Sequence, residues 1–560
     1  MLSPWRRLAL VSIMSCLVLT LGSGKALAQG SEPSPLSPQE RAVNALVAKF
    51  DHPDAPGVSV AVYRAGEVIY SKAVGMADLE HNVRLTTGSV FDIASMSKQF
   101  TAMAVVLLHE DGRLSLDDEI QRFIPEVHTG DKKVTIRELL HHTSGIRDYL
   151  DLMDLAGENP DNRVVSQSDV LDIIATQHEL NFNPGDAFRY ENTSYALMAM
   201  LVQRVSGKSL REFAAERIFR PLDMNSTQFR DNHTDLIKNR ACGYEPRDSG
   251  WSGVTPIYDE VGDGGVWTNV EDLAKWDANF YQPRVGGDQA IHLMLSQATL
   301  NNGLKMSYAL GLFVEKYRGF TMVSHGGVDP GYRAQMLRFP SERLTVSVLA
   351  NNPAYDVEGL ARQIADVYLP KSNEIVHPPP STPTPAAHNW SQFAGKYLDE
   401  ATGRTREIVT GNDGLVLRSR GKDFPLVHLE GVRFEDPSNR GLLVFEPNST
   451  GSAHMTMSVE GQMPSVSRQL PAKIPLWSAG KYEGTYSNRE LGVTWRIGSS
   501  GANLALKRHD AEATISVLDR DEFAGDPGLL HFIRDDRGQV VAFTVSNVRD
   551  TGIEFRRSSN

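Results

Sequence analysis

The chain has 560 residues, of which 41% are hydrophobic and 22% charged, and these proportions are typical of soluble globular proteins. A chain of this length exceeds what one hydrophobic core supports and predicts two or three domains. The formal net charge of −12 argues against a general nucleic-acid-binding role. No stretch after the first 28 residues is long and apolar enough to predict a membrane span.

Residues 1–28 are predicted to be a signal peptide. Arg6-Arg7 precede an apolar stretch over residues 8–21, and Ala26-Leu27-Ala28 provides a small-residue cleavage site. We therefore expect an exported protein, in a periplasm or outside the cell. Cleavage would leave Cys242 as the single cysteine, which excludes an intrachain disulfide.

A first domain is predicted over residues 38–373. Strand-like alternation at both ends of this range encloses a helical region from Ser95 to about Arg217. The predicted strands include Gly57–Tyr63, Val68–Tyr70, Thr321–Ser324, Ala334–Phe339 and Leu344–Leu349. This order is typical of an α+β domain with a mostly antiparallel sheet.

A proline-rich segment over residues 374–388 predicts a stiff, extended linker. Beyond it the helical periodicity stops and strand-like alternation takes over. The pattern Phe393-Ala394-Gly395-Lys396-Tyr397 returns as Tyr482-Glu483-Gly484-Thr485-Tyr486. We therefore predict two small antiparallel β-barrel-like domains, over residues 389–472 and 477–560.

The most informative motif is Ser95-Met96-Ser97-Lys98, at the start of a predicted buried helix. Residues three apart project from the same face of a helix, so Lys98 is expected beside the Ser95 hydroxyl. The unpaired N–H groups of the first turn and the helix dipole favour an oxyanion there. The spacing itself is common, because it recurs at residues 419–422 and 478–481 among strand-like residues, and the helical context favours Ser95.

A second motif, Tyr190-Glu191-Asn192, lies on a loop just before a predicted helix. From such a loop the Tyr190 phenol is placed to relay a proton, and the Asn192 amide is placed to hold a substrate carbonyl. Taken alone, the pattern is more typical of a buried tyrosine beside a capping asparagine.

A third motif, His325-Gly326-Gly327, closes a predicted strand. Glycines within a strand mark close approach by a ligand or by another backbone segment. The alternative is a solvated histidine at a turn.

In this order, the three motifs resemble those of the penicillin-recognising serine hydrolases. The likeness is to the branch that holds class C β-lactamases, D-stereospecific aminopeptidases, D,D-carboxypeptidases and related esterases, and it spans roughly residues 40–370. Connecting stretches share it, including residues 139–146, 219–224 and 262–267. The resemblance implies a β-lactamase-like catalytic domain, and the added β-domains are most similar in layout to D-aminopeptidases.

The resemblance also implies a role for each motif residue. Ser95 would be the nucleophile that forms an acyl-enzyme, and Lys98 and Tyr190 would share the general-base and general-acid work, with the division between them open. The implied substrate-binding residues are Asn192, His325, Gly327 and Val328, with the backbone N–H groups of Ser95 and Val328 as the oxyanion hole. No cofactor and no metal are expected.

His325 bears on the substrate, because many β-lactamases and penicillin-binding proteins carry lysine at this place. A histidine is mostly neutral above a pH of about 6.5 and should bind a carboxylate less strongly. The leading hypothesis is a peptidase or amidase that acts on D-amino-acid-containing peptides. The alternatives are a carboxylesterase or weak class C-like β-lactamase, and an inactive sensor or binding protein.

A D-aminopeptidase carries a long loop of its last domain into the active site, and the matching hairpin here, Asp521 to Leu530, is shorter. This difference leaves aminopeptidase specificity open. Arg333 is a further candidate for contact with a substrate carboxylate. The expected partners are a small peptide, amide or ester substrate, and a homo-oligomer built through the β-domains stays open.

Overall fold

The computed structural model describes residues 35–371, 390–411, 414–419, 422–437, 441–447, 453–474, 477–509 and 511–558. The predicted signal peptide and the predicted proline-rich linker lie outside these ranges. Within the described ranges, no helix has both the length and the apolar character needed to cross a bilayer.

All the α-helices among the described residues belong to the first domain. They are α1 Pro38–Val47, α2 Lys98–Glu110, α3 Ile136–Leu140, α4 Tyr149–Ala156, α5 Gln167–Ala175, α6 Thr193–Ser206, α7 Leu210–Ala214, α8 Val270–Ala278, α9 Gly287–Met294 and α10 Val357–Tyr368. Several begin at a capping box, in which a serine or threonine and an acidic residue three positions later satisfy each other's backbone N–H groups, as Ser37 and Glu40 do for α1.

The strands of the first domain lie mainly at its two ends. They are β1 Val58–Arg64, β2 Glu67–Val74, β3 Met76–Asp78, β4 Val83–Arg84, β5 Phe91–Asp92, β6 Gln228–Phe229, β7 Gly243–Pro246, β8 Trp251–Val254, β9 Val266–Thr268, β10 Phe313–Tyr317, β11 Phe320–Asp329, β12 Tyr332–Phe339 and β13 Leu344–Ala350. The main sheet has the order β10-β11-β12-β13-β1-β2 and is antiparallel throughout. Val58 of β1 lies opposite Ala350 of β13, so strands from both ends of the domain form one sheet.

Both faces of this sheet are covered. Val58, Val60 and Val62 of β1 share a buried cluster with residues of α1 and α10, whereas Ala61 and Tyr63 point to the opposite face and the helical region. The α+β prediction with a mostly antiparallel sheet is confirmed. The helical region and the cleft described below lie on the second face.

The first β-domain is a nine-stranded antiparallel sheet. Its strands are β14 Gly395–Asp399, β15 Arg404–Thr410, β16 Leu415–Ser419, β17 Lys422–Pro425, β18 Val427–Glu430, β19 Arg433–Asp436, β20 Gly441–Pro447, β21 Ala453–Ser458 and β22 Ser465–Gln469. The order is β17-β16-β15-β14-β22-β21-β20-β19-β18. Its two edge strands are separated in the chain by Leu426 alone, so the sheet must curl until its edges nearly meet.

The second β-domain is a closed antiparallel barrel. Its strands are β23 Gly484–Asn488, β24 Val493–Ser500, β25 Asn503–Arg508, β26 Ala511–Asp519, β27 Glu522–Gly525, β28 Gly528–Arg534, β29 Val540–Ser546 and β30 Ile553–Arg557. The repeated sequence pattern has a matching geometry in the two domains. Tyr397 donates its hydroxyl to Phe393 O at 3.0 Å, and Tyr486 donates to Tyr482 O at 2.7 Å. The two predicted barrel-like folds are confirmed.

Both β-domains pack on their own catalytic domain. Ser307 N donates to Gly461 O at 2.5 Å, which joins the first β-domain to the loop before β10. Arg508 of the closed barrel forms an ion pair with Asp154 of α4 at 2.7 Å. Each β-domain therefore contacts the catalytic domain of the same chain.

Candidate active site

Ser95 lies on a 3₁₀ turn, Ala94–Ser97, between strand β5 and helix α2. Strand β9 holds this turn from one side, because Ile93 N donates to Val266 O at 3.0 Å and Val266 N donates to Ser97 Oγ at 3.0 Å. Strand β11 packs against the turn from the other side. The nucleophile candidate is therefore fixed between two strands at the start of a buried helix.

Gly327 makes the approach of β11 to this turn possible. A Cβ atom at residue 327 would lie 2.1 Å from Ile93 O and 3.1 Å from Ala94 Cβ. This distance is far below van der Waals contact, so only glycine fits. The close approach predicted for this glycine is to the backbone segment that carries Ser95.

Gly327→Ala should therefore lower activity by about 100-fold, because a displacement of the turn by about 1 Å costs that much in alignment. It should also destabilise the fold by about 1–3 kcal/mol. Hydrolysis rates and the melting temperature measure the two effects. Gly253→Ala is the matched control, since a Cβ there meets no atom within 4 Å. Wild-type activity in Gly327→Ala would show that the turn does not depend on this contact.

Lys98 lies beneath Ser95 and is fully buried. Its Nζ is 3.1 Å from Ser95 Oγ, 2.9 Å from Asn192 Oδ1 and 2.8 Å from Asp263 O. The amide and carbonyl oxygens can only accept, whereas the serine hydroxyl can accept or donate. The same positions therefore suit an ammonium group with three donors and a neutral amine whose lone pair faces the serine proton.

Tyr190 and Asn192 flank the same lysine. The Tyr190 ring centroid is 5.0 Å from Lys98 Nζ, and the Tyr190 hydroxyl is buried with no hydrogen-bond partner among the described residues. Asn192 uses Oδ1 to accept from Lys98, which leaves its Nδ2 group to donate elsewhere. The free Asn192 amide can donate to a substrate carbonyl, and the free Tyr190 phenol can give a proton to the leaving group.

His325 is buried and neutral. Burial, followed by the nearby Lys98 ammonium, lowers the pKa of His325 to about 3. Its Nδ1 is 2.6 Å from Gly326 O and therefore carries the ring proton, so Nε2 accepts from the Tyr308 hydroxyl at 3.3 Å. His325 supplies no positive charge to a carboxylate, in line with the expectation drawn from its sequence.

These residues meet in one open cleft of about 430 Å³. Its lining includes Ser95, Tyr190, Asn192, His325, Gly327 and Val328. Val328 is 58% exposed and lies beyond the part of β11 that pairs with β10, which ends at Ser324. The recurrences of the serine–lysine spacing lie elsewhere: Ser419 faces Lys422 across a β-hairpin, and Ser478 precedes a turn in the last domain.

A model of the Beta-lactamase family matches residues 43–369. The chain belongs to the Beta-lactamase family. The penicillin-recognising resemblance drawn from the three motifs is thereby confirmed, and the protein is a serine hydrolase.

Relatives in this family cover most of the chain. It is 28% identical over 387 residues to penicillin-binding protein 4* of Bacillus subtilis, across 65% of this chain and 84% of that protein. It is 27% identical over 495 residues to a D-aminopeptidase of Cereibacter sphaeroides, across 88% of this chain and 87% of that protein. In fold it is similar to an octameric penicillin-binding protein homologue from Pyrococcus abyssi, with a TM-score of 0.54, 23% identity, and coverage of 77% and 99%.

This Beta-lactamase-family cleft also contains acidic groups that the motifs did not reveal. Asp92, Glu260, Asp263 and Asp329 all line it. The Tyr149 hydroxyl donates to Glu260 Oε2 at 3.0 Å, and burial, then the charge of Asp263, raises the pKa of Glu260. Only Asp263 lay in a stretch that carried the family resemblance, so the sequence offered no signal for the others.

A buried pair, to which the sequence assigned no role, lies behind Tyr190. His142 Nδ1 is 3.2 Å from Glu191 Oε1, and the His142 ring packs 4.5 Å from the Tyr190 ring, centroid to centroid. Burial raises the pKa of Glu191 to about 8 and lowers that of His142. Both shifts favour the uncharged forms, and the His142 ring of this pair packs against the tyrosine.

The loop between β29 and β30 of the closed barrel reaches the family's catalytic cleft. Arg549 of this loop lines the cleft and donates to Asp148 Oδ1 at 3.2 Å, and Asp148 Oδ2 in turn accepts from Asn192 N at 2.7 Å. The shorter hairpin noted in the sequence, Asp521 to Leu530, does not line the cleft. A different loop of the last domain thus extends to the site.

Asp550, the next residue of this loop, is buried at the domain interface. Its Oδ1 accepts from Asp148 N at 3.0 Å and from Asn181 Nδ2 at 3.2 Å, whereas Oδ2 has no partner among the described residues. Burial, then the Asp148 charge, raises the pKa of Asp550 to about 7. In the unfolded chain an aspartate has a pKa of about 3.9.

This difference predicts a pH-dependent effect of Asp550→Asn. Below pH 4 both states bind the proton, but between pH 4 and pH 7 only the folded state keeps it, so the free energy of unfolding falls as pH rises. Asparagine removes this penalty, so the variant should be more stable than wild type at pH 8, by up to about 4 kcal/mol, and closely similar at pH 4.

Thermal unfolding at the two pH values measures the effect, with Asp526→Asn as control. Asp526 pairs with Arg508 on the same barrel, but its side chain is 67% exposed. A loss of stability in Asp550→Asn that is equal at pH 4 and pH 8 would show that the carboxylate is ionised and favourably paired.

One group of possible metal ligands occurs among the described residues. Asp78, Glu80 and His81 have ligand atoms within 4.8 Å of one another on a surface turn. Asp78 already pairs with His81 at 2.8 Å and accepts from the turn's backbone, and the group does not line the cleft. These contacts show that the Asp78 and His81 side chains stabilise the turn that they lie on.

Proposed function

We propose that this chain is an exported serine hydrolase that forms an acyl-enzyme on Ser95 and hydrolyses peptides or amides containing D-amino acids. The observation that carries the proposal is the contact of Lys98 Nζ with Ser95 Oγ at 3.1 Å beneath an open cleft. A buried amine beside an accessible hydroxyl is the arrangement by which a serine is made nucleophilic.

The reaction would run in two steps. Ser95 Oγ attacks the substrate carbonyl carbon and passes its proton to Lys98 as the neutral amine or to Tyr190 as the phenolate, and the leaving amine takes a proton as the carbon–nitrogen bond breaks. Water then attacks the ester, the base takes the water proton, and Ser95 recovers its hydrogen as the acid product leaves. The free Tyr190 hydroxyl suits transfer to the leaving group, since among the described residues nothing else occupies it.

The oxyanion that forms at the carbonyl oxygen needs donors. We assign the backbone N–H groups of Ser95 and Val328 to this role, because the absence of a side chain at Gly327 lets β11 pack against the Ser95 turn. Removal of one such donor typically costs about 2.7–4 kcal/mol of barrier. Asn192 Nδ2 would hold a carbonyl of the substrate, and His325 would fix Tyr308 and the strand at the cleft wall.

The preference for D-amino-acid substrates is supported by the relatives that cover nearly the whole chain. The Cereibacter sphaeroides relative named D-aminopeptidase matches both the catalytic domain and the β-domains. The neutral His325 is a poor site for a β-lactam carboxylate, which weighs against efficient β-lactamase activity.

Export is proposed from the signal-peptide pattern in residues 1–28, which predicts a periplasmic or secreted protein. The amino-terminal sequence of protein recovered from the producing cells tests this. A chain that begins near Gln29 in the exported fraction is expected, and an intact Met1 there would contradict it.

Enantiomer pairs test the proposed reaction most directly. The full-length protein should hydrolyse D-alanine amide and D-aminoacyl peptides faster than their L counterparts, on the order of 100-fold, which is discrimination that a shaped pocket can supply. Equal rates on both enantiomers would exclude the proposed specificity.

The other hypotheses give different outcomes in the same assays. Rapid hydrolysis of short-chain esters without a preference for D-aminoacyl groups would identify a carboxylesterase, and turnover of a chromogenic cephalosporin would identify a β-lactamase. Failure of a fluorophosphonate to label Ser95 would identify a binding or sensor protein.

A further inference from the structure

The loop of residues 547–552 crosses from the closed barrel to the catalytic domain and is fixed there. Asn181 is its main receptor: Asn181 Nδ2 donates to Arg549 O at 2.9 Å, and Thr551 N donates to Asn181 Oδ1 at 2.9 Å. Asp550 adds its contact with the backbone of Asp148. The loop is therefore docked by hydrogen bonds on both sides of Arg549.

The loop also holds its own shape. Asn547 Oδ1 accepts from Arg549 N at 2.9 Å and from Asp550 N at 2.7 Å, and Asn547 N donates to Asp550 O at 2.8 Å. An asparagine that bonds to the backbone two and three residues ahead forms a tight turn. The position of the Arg549 side chain is thus set before any substrate arrives.

The Arg549 guanidinium still has donors to offer. Its side chain is 33% exposed, and among the described residues Nη1 makes its one hydrogen bond, to Asp148. A guanidinium carries five N–H donors in a planar fork. Several of them therefore remain for a ligand in the cleft that Arg549 lines together with Ser95.

Asp148, the acid that pairs with Arg549, also accepts hydrogen bonds from other groups. The Asp148 carboxylate is shared with the backbone N–H groups of Leu150, Asp151 and Asn192, at 3.0, 3.3 and 2.7 Å. Asp151 lies 3.9 Å from Arg549 Nη1, but burial, then the charges of Asp148 and Asp550, raises the pKa of Asp151 and favours its neutral form.

The other basic side chains near the cleft are either buried and already in contact with protein oxygens, or lie outside the cleft lining. Lys98 is fully buried, with its Nζ already in contact with three protein oxygens, and Arg230 is 3% exposed and donates to Pro256 O. Arg333, a carboxylate candidate from the sequence, donates to Pro353 O and does not line the cleft. Among the described residues of the cleft wall, Arg549 is the one cation that is substantially exposed.

We propose that Arg549 is a specificity-determining residue that binds a carboxylate of the substrate by paired N–H donors. The preferred substrates would then be short peptides with a free carboxylate, as in a carboxypeptidase or dipeptidase, and the last β-domain would select them. This inference rests on the proposed hydrolysis of D-amino-acid peptides for its substrate class. The carboxylate contact itself is independent of that chemistry.

The test compares D-Ala-D-Ala with its C-terminal amide, which lacks the charge. In full-length protein, Arg549→Gln should lower kcat/KM for the free acid by at least about 10-fold, the value of one charge-assisted hydrogen bond, and change the amide by less than about 3-fold. Arg549→Lys should recover part of the loss, since it keeps the charge without the planar fork.

Arg508→Gln is the matched control, because this barrel arginine also pairs with α4, through Asp154, yet lies outside the cleft lining. It should leave the ratio of acid to amide rates unchanged. Equal losses on acid and amide in Arg549→Gln, or no loss on either, would overturn the proposal. Equal losses would mean that Arg549 acts only by positioning Asp148 and Asn192.

Calorimetric binding separates this proposal from the proposed reaction. The same two peptides are titrated into Ser95→Ala and into Ser95→Ala combined with Arg549→Gln, neither of which needs to turn over. Tighter binding of the acid that is lost with Arg549 supports the contact even when the wild type hydrolyses neither peptide, a result that would refute the reaction alone. No preference for the acid in Ser95→Ala would overturn the contact.

Discussion

Replacing Ser95 with alanine is expected to lower kcat by about 10⁴-fold or more on every substrate while the fold stays intact. Ser95 is half-buried and its hydroxyl contacts Lys98. When the hydroxyl is removed, Lys98 still has two acceptors, Asn192 Oδ1 and Asp263 O. The melting temperature should therefore move by little. Steady-state kinetics with the best substrate of the panel, and labelling by a fluorophosphonate, measure the loss.

Ser478→Ala is the matched control for this prediction. Ser478 has the same spacing to a lysine, Lys481, but it is exposed and precedes a turn of the last domain. Its replacement should leave the rate unchanged. Full activity in a folded Ser95→Ala variant would remove the acyl-enzyme hypothesis altogether.

Replacing Lys98 with methionine is expected to be the next most damaging change, with a loss of about 10²–10⁴-fold in kcat, the usual contribution of a positioned general base. The variant should also be less stable, because Asn192 Oδ1 and Asp263 O are buried and lose their donor, at about 1–3 kcal/mol each. Rates and melting temperatures should be measured together, so that the two effects are separated.

Two further variants divide the work between Lys98 and Tyr190. Lys98→Arg keeps a cation that does not lose its proton, so it should be as inactive as Lys98→Met if the lysine is the base. Tyr190→Phe removes the unpartnered hydroxyl alone. A small effect of Lys98→Met beside a large effect of Tyr190→Phe would assign the base role to the tyrosine. Lys481→Met is the matched control for the lysine.

The motifs predicted the serine–lysine contact because it is local. Ser95 and Lys98 are three residues apart, and helical geometry alone puts their side chains on one face. The alternation of apolar and polar residues likewise predicted the strands on both sides of the helical region, since this pattern depends only on which face of each strand is buried. Gly327 was predicted to meet a backbone or a ligand, but the sequence could not name Ile93 as the segment it meets.

The contribution of the last domain could not be predicted in the same way. Arg549 lies in an ordinary polar turn between two strands, 454 positions after Ser95 in the sequence. Only the docking of the barrel on α4 brings it to the cleft. Asp148 gave no signal either, because its role is to join Asn192, the start of α4 and Arg549 through hydrogen bonds that exist only in the folded chain.

The residues that line the cleft are spread over the sequence from Asp92 to Arg549, and this spread has a consequence for biosynthesis. Domains emerge and fold from the amino terminus during translation. The first sheet cannot form completely before β13 has emerged to pair with β1, and the cleft wall stays incomplete until Arg549 has emerged as well. A polypeptide that stops before residue 549 therefore has the catalytic serine and lysine but lacks the arginine side of the pocket wall.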